Sequence, residues 1–567
     1  MSRGTEVKTC QNCKHEFAIE PEDFDFYEKM KVPAPTFCPE CRALRRHAWR
    51  NERVLYRRSC DLCGKSTVTI YSPNKPYKVY CPPCWWSDKW SALDFGADFD
   101  FKRPFFEQFQ ELQSKIPRIA LLTKNSINSE YTNHSNNNKD CYLCFAVFDS
   151  ENILYATNVW GKSRDSMELY RMTDAAELCY ECSDSARIYQ CQFGNLLRDC
   201  TDCLYCFDCR GCQHCFLSSN LRNKKYVFKN QQYTKEEYDK KIADYDLASH
   251  KVREKLYLEY KDLVVKKTVH RFAVTERSVN VSGNMITDSK NCKFVFDADK
   301  VEDTKYSVVC PDVKDCMDVY HFGFQSELVY ESHALIHAYN VMFSHLSYDD
   351  SHIMYCDSCH NSENLFGCVG VIKGNYVIFN KQYSKEDYGV LKDKIIEHMK
   401  KTKEYGEFFP FSLSPFGYNE TQGTIYMPRS KKEALALGMK WEELASGTFG
   451  KETISPENIP DSIIDVSENI IKEAFRCIEC NRNYNIVKAE FDLYRRFIAP
   501  IPRRCPQCRY LNKIALRPPR KLWHRQCMCN KDHTHHTGQC TNEFETSYAP
   551  DRPEIVYCEQ CYQQEVV

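Results

Sequence analysis

Short apolar segments recur through the middle of the chain at intervals of about 10 to 15 residues. Each segment has four to six residues of aromatic, β-branched or Cys character and is bounded by Asp, Asn, Ser or Gly. This composition is typical of strands that are separated by turns, and not of helices. Examples are CYLCF, NILYA, MELYR, LCYEC, RIYQC and KYVFKN. The pattern therefore predicts many short strands at nearly regular spacing.

The strand-rich middle of the chain contains a duplication with an offset of 150 residues, which runs from about residue 164 to 238 without a gap. ELCYE at 177 returns as ELVYE at 327, and NQQYTKEEY at 230 returns as NKQYSKEDY at 380. Because equivalent residue types return at equivalent places, they would stack on successive coils of a solenoid. The pattern thus favours a mainly β fold with helices, whose core is a duplicated parallel β-helix. A β-sandwich is the alternative.

Each half of this duplication ends in a segment with helical features. Thr234 and Ser384 are predicted N-caps, because Glu237 and Asp387 follow them three residues later. Helices at these places would cover the open ends of a solenoid, whose unpaired strands otherwise favour aggregation. The predicted solenoid therefore has helical caps.

Both ends of the chain carry cysteines in pairs with the spacing Cys-x2-Cys. With 34 cysteines among 567 residues, the chain has several times the ordinary content but too little for a disulfide-stabilised miniprotein. The predicted metal ligands are Cys10, Cys13, Cys38 and Cys41; Cys60, Cys63, Cys81 and Cys84; Cys477, Cys480, Cys505 and Cys508; and Cys527, Cys540, Cys558 and Cys561. Four thiolates suit a tetrahedral zinc site without an open position, so about four structural zinc ions are expected. Iron bound as in rubredoxin uses the same ligands and stays open.

The C-terminal cysteines copy the N-terminal ones. From Cys477 to Cys527 each lies 467 positions after its counterpart, and from Cys540 onward the offset is 477. Ten residues, rich in His, have therefore been inserted into the last set. Cys529 competes with Cys527 for the first ligand position there, and the insertion adds three further candidates: His533, His535 and His536. A solvated loop beside a closed four-thiolate site is the expected structure.

At each end of the chain, two Cys-x2-Cys knuckles flank a connector rich in Phe and Tyr: CQNCKHEFAIEPEDFDFYEKMKVPAPTFCPECR and CIECNRNYNIVKAEFDLYRRFIAPIPRRCPQCR. These segments resemble a zinc-binding domain family of treble-clef or zinc-ribbon type. The whole chain also resembles uncharacterised Cys-rich bacterial proteins, in the segments DFDFYEK, RNERVLY, YSPNKPYKVYC and LSPFGYNE. The resemblance implies metal binding by the eight N-terminal and at least seven of the C-terminal cysteines, and it implies no activity.

A basic segment lies between the two cysteine sets at each end of the chain. RALRRHAWRNERVLYRR has seven Arg and one Glu, and RYLNKIALRPPRKLWHRQ has four Arg, two Lys and no acid. Beside Trp and Tyr, such side chains suit contacts with the backbone and bases of nucleic acid. The predicted contacts are Arg42, Arg46, Arg50, Arg53, Arg58, Arg509, Lys513, Arg517, Arg520 and Arg525. The alternative, which the sequence favours, is that these residues pair with acidic surfaces inside the protein.

A run of cysteines in the first half of the predicted solenoid has a different spacing, with one cysteine at every third residue: Cys200, Cys203, Cys206, Cys209, Cys212 and Cys215. Such density is typical of iron–sulfur ligation. The copy at offset 150 keeps only Cys356 and Cys359, which favours core packing, because Cys behaves as a small buried hydrophobe. The second half instead carries six scattered histidines, expected at the surface: His321, His333, His337, His345, His352 and His360.

The charge and the length of the apolar runs restrict the class of protein further. The formal net charge of −1 gives no overall attraction to polyanions. The first residues have no apolar stretch of the signal-peptide type, and no run approaches the roughly 20 apolar residues of a membrane span. A cytoplasmic protein with reduced thiols is therefore expected, without a membrane anchor. No nucleotide-binding motif is present, so no nucleotide cofactor is expected.

These features predict a zinc-binding, non-enzymatic scaffold that binds nucleic acid or a protein partner, with treble-clef or zinc-ribbon modules flanking the solenoid. The predicted segments are tandem zinc modules at 1–90, a linker helix at 91–124, solenoid halves with helical caps at 125–270 and 271–405, a connector at 406–475 and tandem zinc modules at 476–567. The alternative is a redox or carbohydrate-active enzyme that uses the Cys-rich or His-rich face of the solenoid. Neither the partner nor the oligomeric state follows from the sequence.

Overall fold

The computed structural model describes residues 4–309, 313–314, 317–318, 320–324, 326–444 and 447–567. For 313–314 and 320–324 it describes the backbone alone, so the predicted histidine at position 321 lies outside the described side chains. The elements named below are those of the described residues.

The helices of the described residues are mostly short. The α-helices are α1 (Pro21–Lys29), α2 (Pro39–His47), α3 (Pro82–Trp85), α4 (Phe105–Lys115), α5 (Lys235–Ala243), α6 (His250–Asp262), α7 (Lys385–Lys401), α8 (Gly423–Tyr426), α9 (Lys431–Ala436), α10 (Lys488–Arg496), α11 (Pro506–Ala515) and α12 (Glu559–Val566). One π-helical turn spans Leu263–Lys267, and 3-10 turns span Ala92–Phe95, Phe411–Leu413, Tyr418–Glu420, Pro456–Asn458, Ile463–Asp465 and Glu468–Lys472. Among the helices described, none combines the length and apolar character that crossing a membrane requires.

The two N-caps predicted from the sequence are confirmed. The Thr234 side chain accepts a hydrogen bond from the Glu237 N–H at 3.3 Å where α5 begins. Ser384 accepts one from the Asp387 N–H at 3.1 Å where α7 begins. Each cap satisfies a backbone donor that has no partner within the helix.

The strands are short and numerous. Up to residue 272 they are β1 (Glu6–Thr9), β2 (Glu16–Ile19), β3 (Tyr56–Ser59), β4 (Ser66–Thr69), β5 (Val79–Tyr80), β6 (Arg118–Ile119), β7 (Thr123–Lys124), β8 (Ser135–Asn136), β9 (Phe145–Phe148), β10 (Glu151–Leu154), β11 (Thr157–Trp160), β12 (Arg164–Met167), β13 (Tyr170–Met172), β14 (Ala176–Glu177), β15 (Ala186–Tyr189), β16 (Arg198–Arg210), β17 (Gln213–Arg222), β18 (Lys225–Phe228), β19 (Gln231–Gln232) and β20 (Val269–Arg271). After residue 272 they are β21 (Thr275–Glu276), β22 (Val279–Thr287), β23 (Lys290–Asp299), β24 (Val313–Lys314), β25 (Tyr320–Phe324), β26 (Ser326–Glu327), β27 (His333–Ile336), β28 (Tyr339–Met342), β29 (His345–Tyr348), β30 (Ser351–Met354), β31 (Glu363–Phe366), β32 (Asn375–Ile378), β33 (Lys381–Gln382), β34 (Phe475–Arg476), β35 (Asn483–Tyr484), β36 (Trp523–Gln526), β37 (Glu543–Thr546) and β38 (Ile555–Tyr557).

The chain forms two compact units, each made of discontinuous segments. Unit 1 comprises Met1–Ala120, Ala273–Leu444 and Arg520–Leu522, and unit 2 comprises Leu121–Phe272, Ala445–Pro519 and Trp523–Val567. We call β7 to β19 the first repeat and β21 to β33 the second repeat. The N-terminal cysteine sets therefore share a unit with the second repeat, and the C-terminal sets share one with the first repeat.

Within each repeat, most strand neighbours are parallel and their paired residues lie 11 to 13 positions apart along the chain. In the first repeat, Glu151 pairs with Arg164 and Thr201 pairs with Gln213. In the second repeat, Tyr339 pairs with Ser351. The last strand of each repeat turns back antiparallel, as β19 does on β18 and β33 on β32.

The predicted fold class, a duplicated parallel β-helix, was wrong. The strands of the described residues form eleven separate sheets, which are parallel, antiparallel or mixed, and none of them is a closed or solenoid sheet. Helices also make up about 25% of the described residues, more than caps require. Non-Gly residues with a positive φ recur at every third position, as at Asp199, Asp202, Tyr205 and Asp208, and each bends the chain away from an extended course. The composition of the segments indicated strands correctly, but it did not specify how the strands would assemble.

Candidate metal centres

Four groups of four cysteines come together as the spacing predicts. In each group the Sγ atoms all lie within 4.8 Å of one another. We call them set 1 (Cys10, Cys13, Cys38, Cys41), set 2 (Cys60, Cys63, Cys81, Cys84), set 3 (Cys477, Cys480, Cys505, Cys508) and set 4 (Cys527, Cys540, Cys558, Cys561). The described cysteines are free thiols rather than disulfides. All sixteen predicted ligands are therefore brought together in the predicted groupings.

Each set is built from one antiparallel hairpin and one helix. The hairpins β1–β2, β3–β4, β34–β35 and β36–β37 carry the first two cysteines, at or beside the turn. The third cysteine of each set directly precedes a helix, namely α2, α3, α11 and α12. In sets 1 to 3 a residue with positive φ (Lys14, Gly64 or Asn481) completes the tight turn after the second cysteine. Short-range geometry thus places all four sulfurs around one point.

The separation of the sulfur atoms matches a tetrahedral metal site. The equivalent pair is 3.7 Å apart in set 1 (Cys13–Cys38), 3.9 Å in set 2 (Cys63–Cys81), 3.7 Å in set 3 (Cys480–Cys505) and 3.9 Å in set 4 (Cys540–Cys558). Four sulfurs that each lie roughly 2.3 Å from a central zinc would be about 3.8 Å apart. A disulfide would shorten the distance to about 2.05 Å. The sets therefore have the dimensions of metal sites.

Backbone N–H groups favour the thiolate form of the first cysteine in sets 2 and 3. In every set the N–H of the third cysteine donates to the Sγ of the first at 3.2 to 3.3 Å. Burial opposes ionisation, but the N–H groups of Cys81, Cys63 and Leu62 lower the pKa of Cys60 to about 6. The pKa of Cys477 is lowered to about 7 in the same way. Metal ligation needs the thiolate, so the backbone favours it at the first cysteine of sets 2 and 3. In set 4, burial outweighs the backbone N–H groups and raises the pKa of Cys527 to about 11.

The insertion in set 4 contributes residues to a second group of possible metal ligands. Cys527 is the cysteine that groups with Cys540, Cys558 and Cys561 in set 4, in agreement with the offset of 467. Cys529 belongs instead to a second group with His533, His536 and Cys561, whose ligand atoms also lie within 4.8 Å of one another. A solvated loop was expected here, so sequence reasoning missed this group. The spacing Cys-x3-His-x2-His was the signal that could have revealed it.

In unit 1, the basic face of α2 is buried against acidic residues of the second repeat. Arg42 Nε donates to Asp318 Oδ2 at 2.6 Å, and Arg46 Nη2 donates to Asp318 Oδ1 at 3.1 Å. Arg50 forms an ion pair with Glu52. These three Arg side chains are at most 2% exposed, and Asp318 is fully buried.

In unit 2, α11 makes the corresponding contacts with the first repeat. Arg509 Nε lies 2.5 Å from Glu168 Oε1, and Lys513 Nζ lies 2.8 Å from Glu181 Oε2. The Arg509 and Lys513 side chains are 5% and 9% exposed. The basic side chains of this segment therefore face carboxylates of the protein itself.

Arg517 extends this row of ion pairs. Its Nε and Nη2 donate to the two carboxylate oxygens of Asp184 at 2.8 and 3.0 Å. Such a two-pronged contact fixes the orientation of the guanidinium as well as its position.

The acidic partners are duplicated together with the basic residues. Glu168 and Asp318 are 150 positions apart, as are Glu181 and Glu331. Glu331 accepts a hydrogen bond from Arg45 Nη2 at 2.8 Å. The helix that carries the last cysteine of set 1 and the helix that carries the last cysteine of set 3 thus contact their repeats at equivalent carboxylates, which supports internal pairing for these basic residues.

An aromatic contact is duplicated at the same place. In unit 1 the rings of Tyr27 and Tyr330 lie 5.3 Å apart, edge to face. In unit 2 the rings of Tyr494 and Tyr180 lie 6.0 Å apart, again edge to face. The equivalent tyrosines follow the offsets of 467 and 150, so the contact was copied with both partners.

The remaining predicted nucleic-acid contacts are partly buried. Arg58 donates to the carbonyl oxygens of Ser72 and Tyr77, and Arg525 donates to the Ala549 carbonyl. Arg53 is also half-buried.

Arg520 pairs with Asp297 at 2.8 Å and lies over the ring of Tyr426. Contact with nucleic acid stays a prediction. For the buried Arg and Lys side chains, such contact would require breaking the ion pairs described above.

The closely spaced cysteines of the first repeat line its interior. All six from Cys200 to Cys215 are at most 1% exposed and pack with other apolar residues. Each thiol lies within hydrogen-bond distance of the backbone carbonyl two residues earlier, as Cys206 does to Leu204 at 3.5 Å. These contacts favour core packing over cluster ligation.

The histidines of the second repeat fall into two classes. His333, His345 and His360 are at most 2% exposed, and His345 Nδ1 lies 2.8 Å from Asp357 Oδ1. His337 and His352 are exposed, as expected for all of them. Surface placement was therefore predicted correctly for two of these five described side chains.

No protein-family model matches this chain, and no curated protein matches it. Among solved structures, the chain is similar to that of a proposed acetyltransferase from Desulfovibrio desulfuricans G20, with 8% sequence identity. The similarity covers 47% of this chain and 68% of that chain, with a TM-score of 0.10. At that TM-score the likeness carries no argument about fold or activity.

Proposed function

We propose that this protein is a zinc-dependent, non-enzymatic scaffold, in which zinc folds the terminal modules and the modules hold the two repeats. The observation that carries the proposal is the set of four tetrathiolate groups, each with the sulfur spacing of a tetrahedral site. A hairpin followed by a helix that begins at the last two ligands is the arrangement of treble-clef modules, which supports the resemblance seen in the sequence.

The ligand chemistry supports zinc as the metal. Thiolates are soft ligands that select zinc, copper(I) or iron rather than magnesium or calcium. Zinc in a site with four thiolates has no vacant position for water or substrate. The ion therefore contributes to folding and does not activate a reactant.

The buried ion pairs support a structural role for the modules. Asp318 forms ion pairs with both Arg42 and Arg46, and Glu168 forms one with Arg509. All of these side chains are buried. A buried charge is tolerated only with a partner, so each module and its repeat depend on one another. Zinc would thus stabilise the repeats indirectly, by folding the helices that carry these bases.

Elemental analysis of the purified full-length protein tests the proposal. We expect at least four zinc per chain, no stoichiometric iron and no visible absorption, because zinc has a filled d shell. Stoichiometric iron with charge-transfer bands would contradict the proposal and favour the redox alternative. Fewer than four zinc after purification without chelators would contradict it as well.

A further inference from the structure

The insertion in set 4 gathers ligands that set 4 itself does not use. Cys529 Sγ lies 3.2 Å from His533 Nε2, and His536 Nε2 lies 3.1 Å from Cys561 Sγ. Sulfur and nitrogen bound to one zinc at about 2.3 and 2.05 Å would be roughly 3.5 Å apart. The two observed sulfur–nitrogen distances are therefore close to the ligand–ligand distance of a second tetrahedral site.

We propose that a second zinc ion binds to Cys529, His533, His536 and Cys561, and that the Cys561 thiolate bridges it to the zinc of set 4. Cys561 belongs to both ligand groups, and in each group all ligand atoms lie within 4.8 Å of one another. The C-terminal module is thus a binuclear centre with one shared sulfur. This inference rests on the proposed function, because the bridge requires that set 4 holds zinc.

The backbone of the insertion orients both imidazoles. The His533 N–H donates to the His536 carbonyl at 2.9 Å, and the reverse hydrogen bond is 3.4 Å long. This tight turn places the two rings 5.2 Å apart, so that His533 Nε2 reaches Cys529 Sγ and His536 Nε2 reaches Cys561 Sγ. The Cys540 N–H donates to the Cys529 carbonyl at 2.8 Å, which ties the start of the insertion to set 4.

Burial and charge both favour a second cation. Cys529 and Cys561 are fully buried, and the His533 side chain is 6% exposed. One zinc with four thiolates has a formal charge of about −2, and the Cys529 sulfur belongs to the adjacent ligand group that shares Cys561. A second zinc that binds two neutral imidazoles and Cys529, whose proton leaves to solvent, would reduce the negative formal charge of the whole centre from about −2 to about −1. The binuclear centre therefore places less charge inside the module than set 4 would alone.

The second site has four protein ligands and is structural rather than hydrolytic. It would fix the ten inserted residues against α12, where Thr534 N–H already donates to the Gln564 side chain at 3.3 Å. A polar loop of this length loses conformational entropy when it is ordered, and metal binding offsets that loss. The insertion thus extends the zinc module and does not interrupt it.

Metal content of full-length variants tests the inference. We expect five zinc per chain for the unmodified protein and four for the triple variant Cys529→Ser, His533→Ala, His536→Ala. His535→Ala is the matched control, because its ring lies in the same turn, with Nε2 3.4 Å from Cys561 Sγ, yet lies outside the proposed ligand set. It should keep five. Loss of one zinc from His535→Ala, with none lost from His536→Ala, would overturn the assignment.

The outcomes separate this inference from the proposed function. Four zinc in both the unmodified protein and the triple variant would overturn the second site and leave the proposed function standing. Fewer than four in the unmodified protein would overturn both. X-ray absorption at the zinc edge of the unmodified protein does not depend on any variant folding. We expect a zinc–zinc distance of roughly 3.5 to 4 Å, and its absence would overturn the bridge.

Discussion

Replacing Cys477 by Ser is expected to remove one zinc per chain and to unfold the module of set 3. Cys477 is fully buried and accepts the Cys505 N–H at 3.3 Å, so the variant loses both a ligand and the contact that organises the knuckle. In small zinc modules, metal binding and folding are one event that contributes an apparent ~10 to 16 kcal/mol at neutral pH. Elemental analysis and limited proteolysis of the full-length variant measure the two effects.

Cys292→Ser is the matched control for this substitution. Cys292 is equally buried, in the second repeat, but it belongs to none of the four sets, and its thiol contacts the Lys290 carbonyl. The control should keep the full zinc content. If Cys477→Ser also kept every zinc and resisted protease between residues 447 and 519, set 3 would not be a structural zinc site.

Replacing Asp318 by Ala is expected to lower the free energy of unfolding of unit 1 by about 3 to 5 kcal/mol. The change leaves Arg42 and Arg46 buried without the carboxylate that both contact. Most of the loss comes from the uncompensated charges and not from the ion pair itself. Urea unfolding of the full-length protein, followed by circular dichroism, measures the effect.

Asp288→Ala provides the comparison at an exposed ion pair. Asp288 contacts Arg277 at 2.6 Å, with side chains that are 33% and 67% exposed, so its loss should change the unfolding free energy by less than about 1 kcal/mol. Equal effects of the two substitutions would contradict internal docking through Asp318. A gain in nucleic-acid affinity for Asp318→Ala without a loss of stability would instead favour the nucleic-acid interpretation of the arginines.

Ligand spacing is the part of this structure that the sequence predicts well. A Cys-x2-Cys pair is local, so its conformation depends on a few residues, and offsets of 467 and 477 identify the sets without knowledge of the fold. The N-caps at Thr234 and Ser384 are predictable for the same reason, because the hydrogen bond spans three residues. Short-range rules are sufficient wherever the partners are close along the chain.

These sequence patterns did not predict which residues would make contact when they lie far apart along the chain. Nothing local indicates that Arg42 meets Asp318 or that Arg509 meets Glu168, since each pair is separated by hundreds of residues. The sharing of Cys561 by two ligand groups likewise depends on where the insertion folds. The prediction of the fold class was wrong because segments of four to six residues specify strands and turns but not the sheets in which the strands pair.

Removal of zinc from the full-length protein tests the central claim most directly. Titration with a chelator, with zinc release followed by a metal-sensitive dye and structure by circular dichroism, reports both events in one sample. We expect release and loss of structure to coincide, and added zinc to restore the fold. Complete release of zinc with an unchanged spectrum and an unchanged protease pattern would contradict a structural role for the four sets.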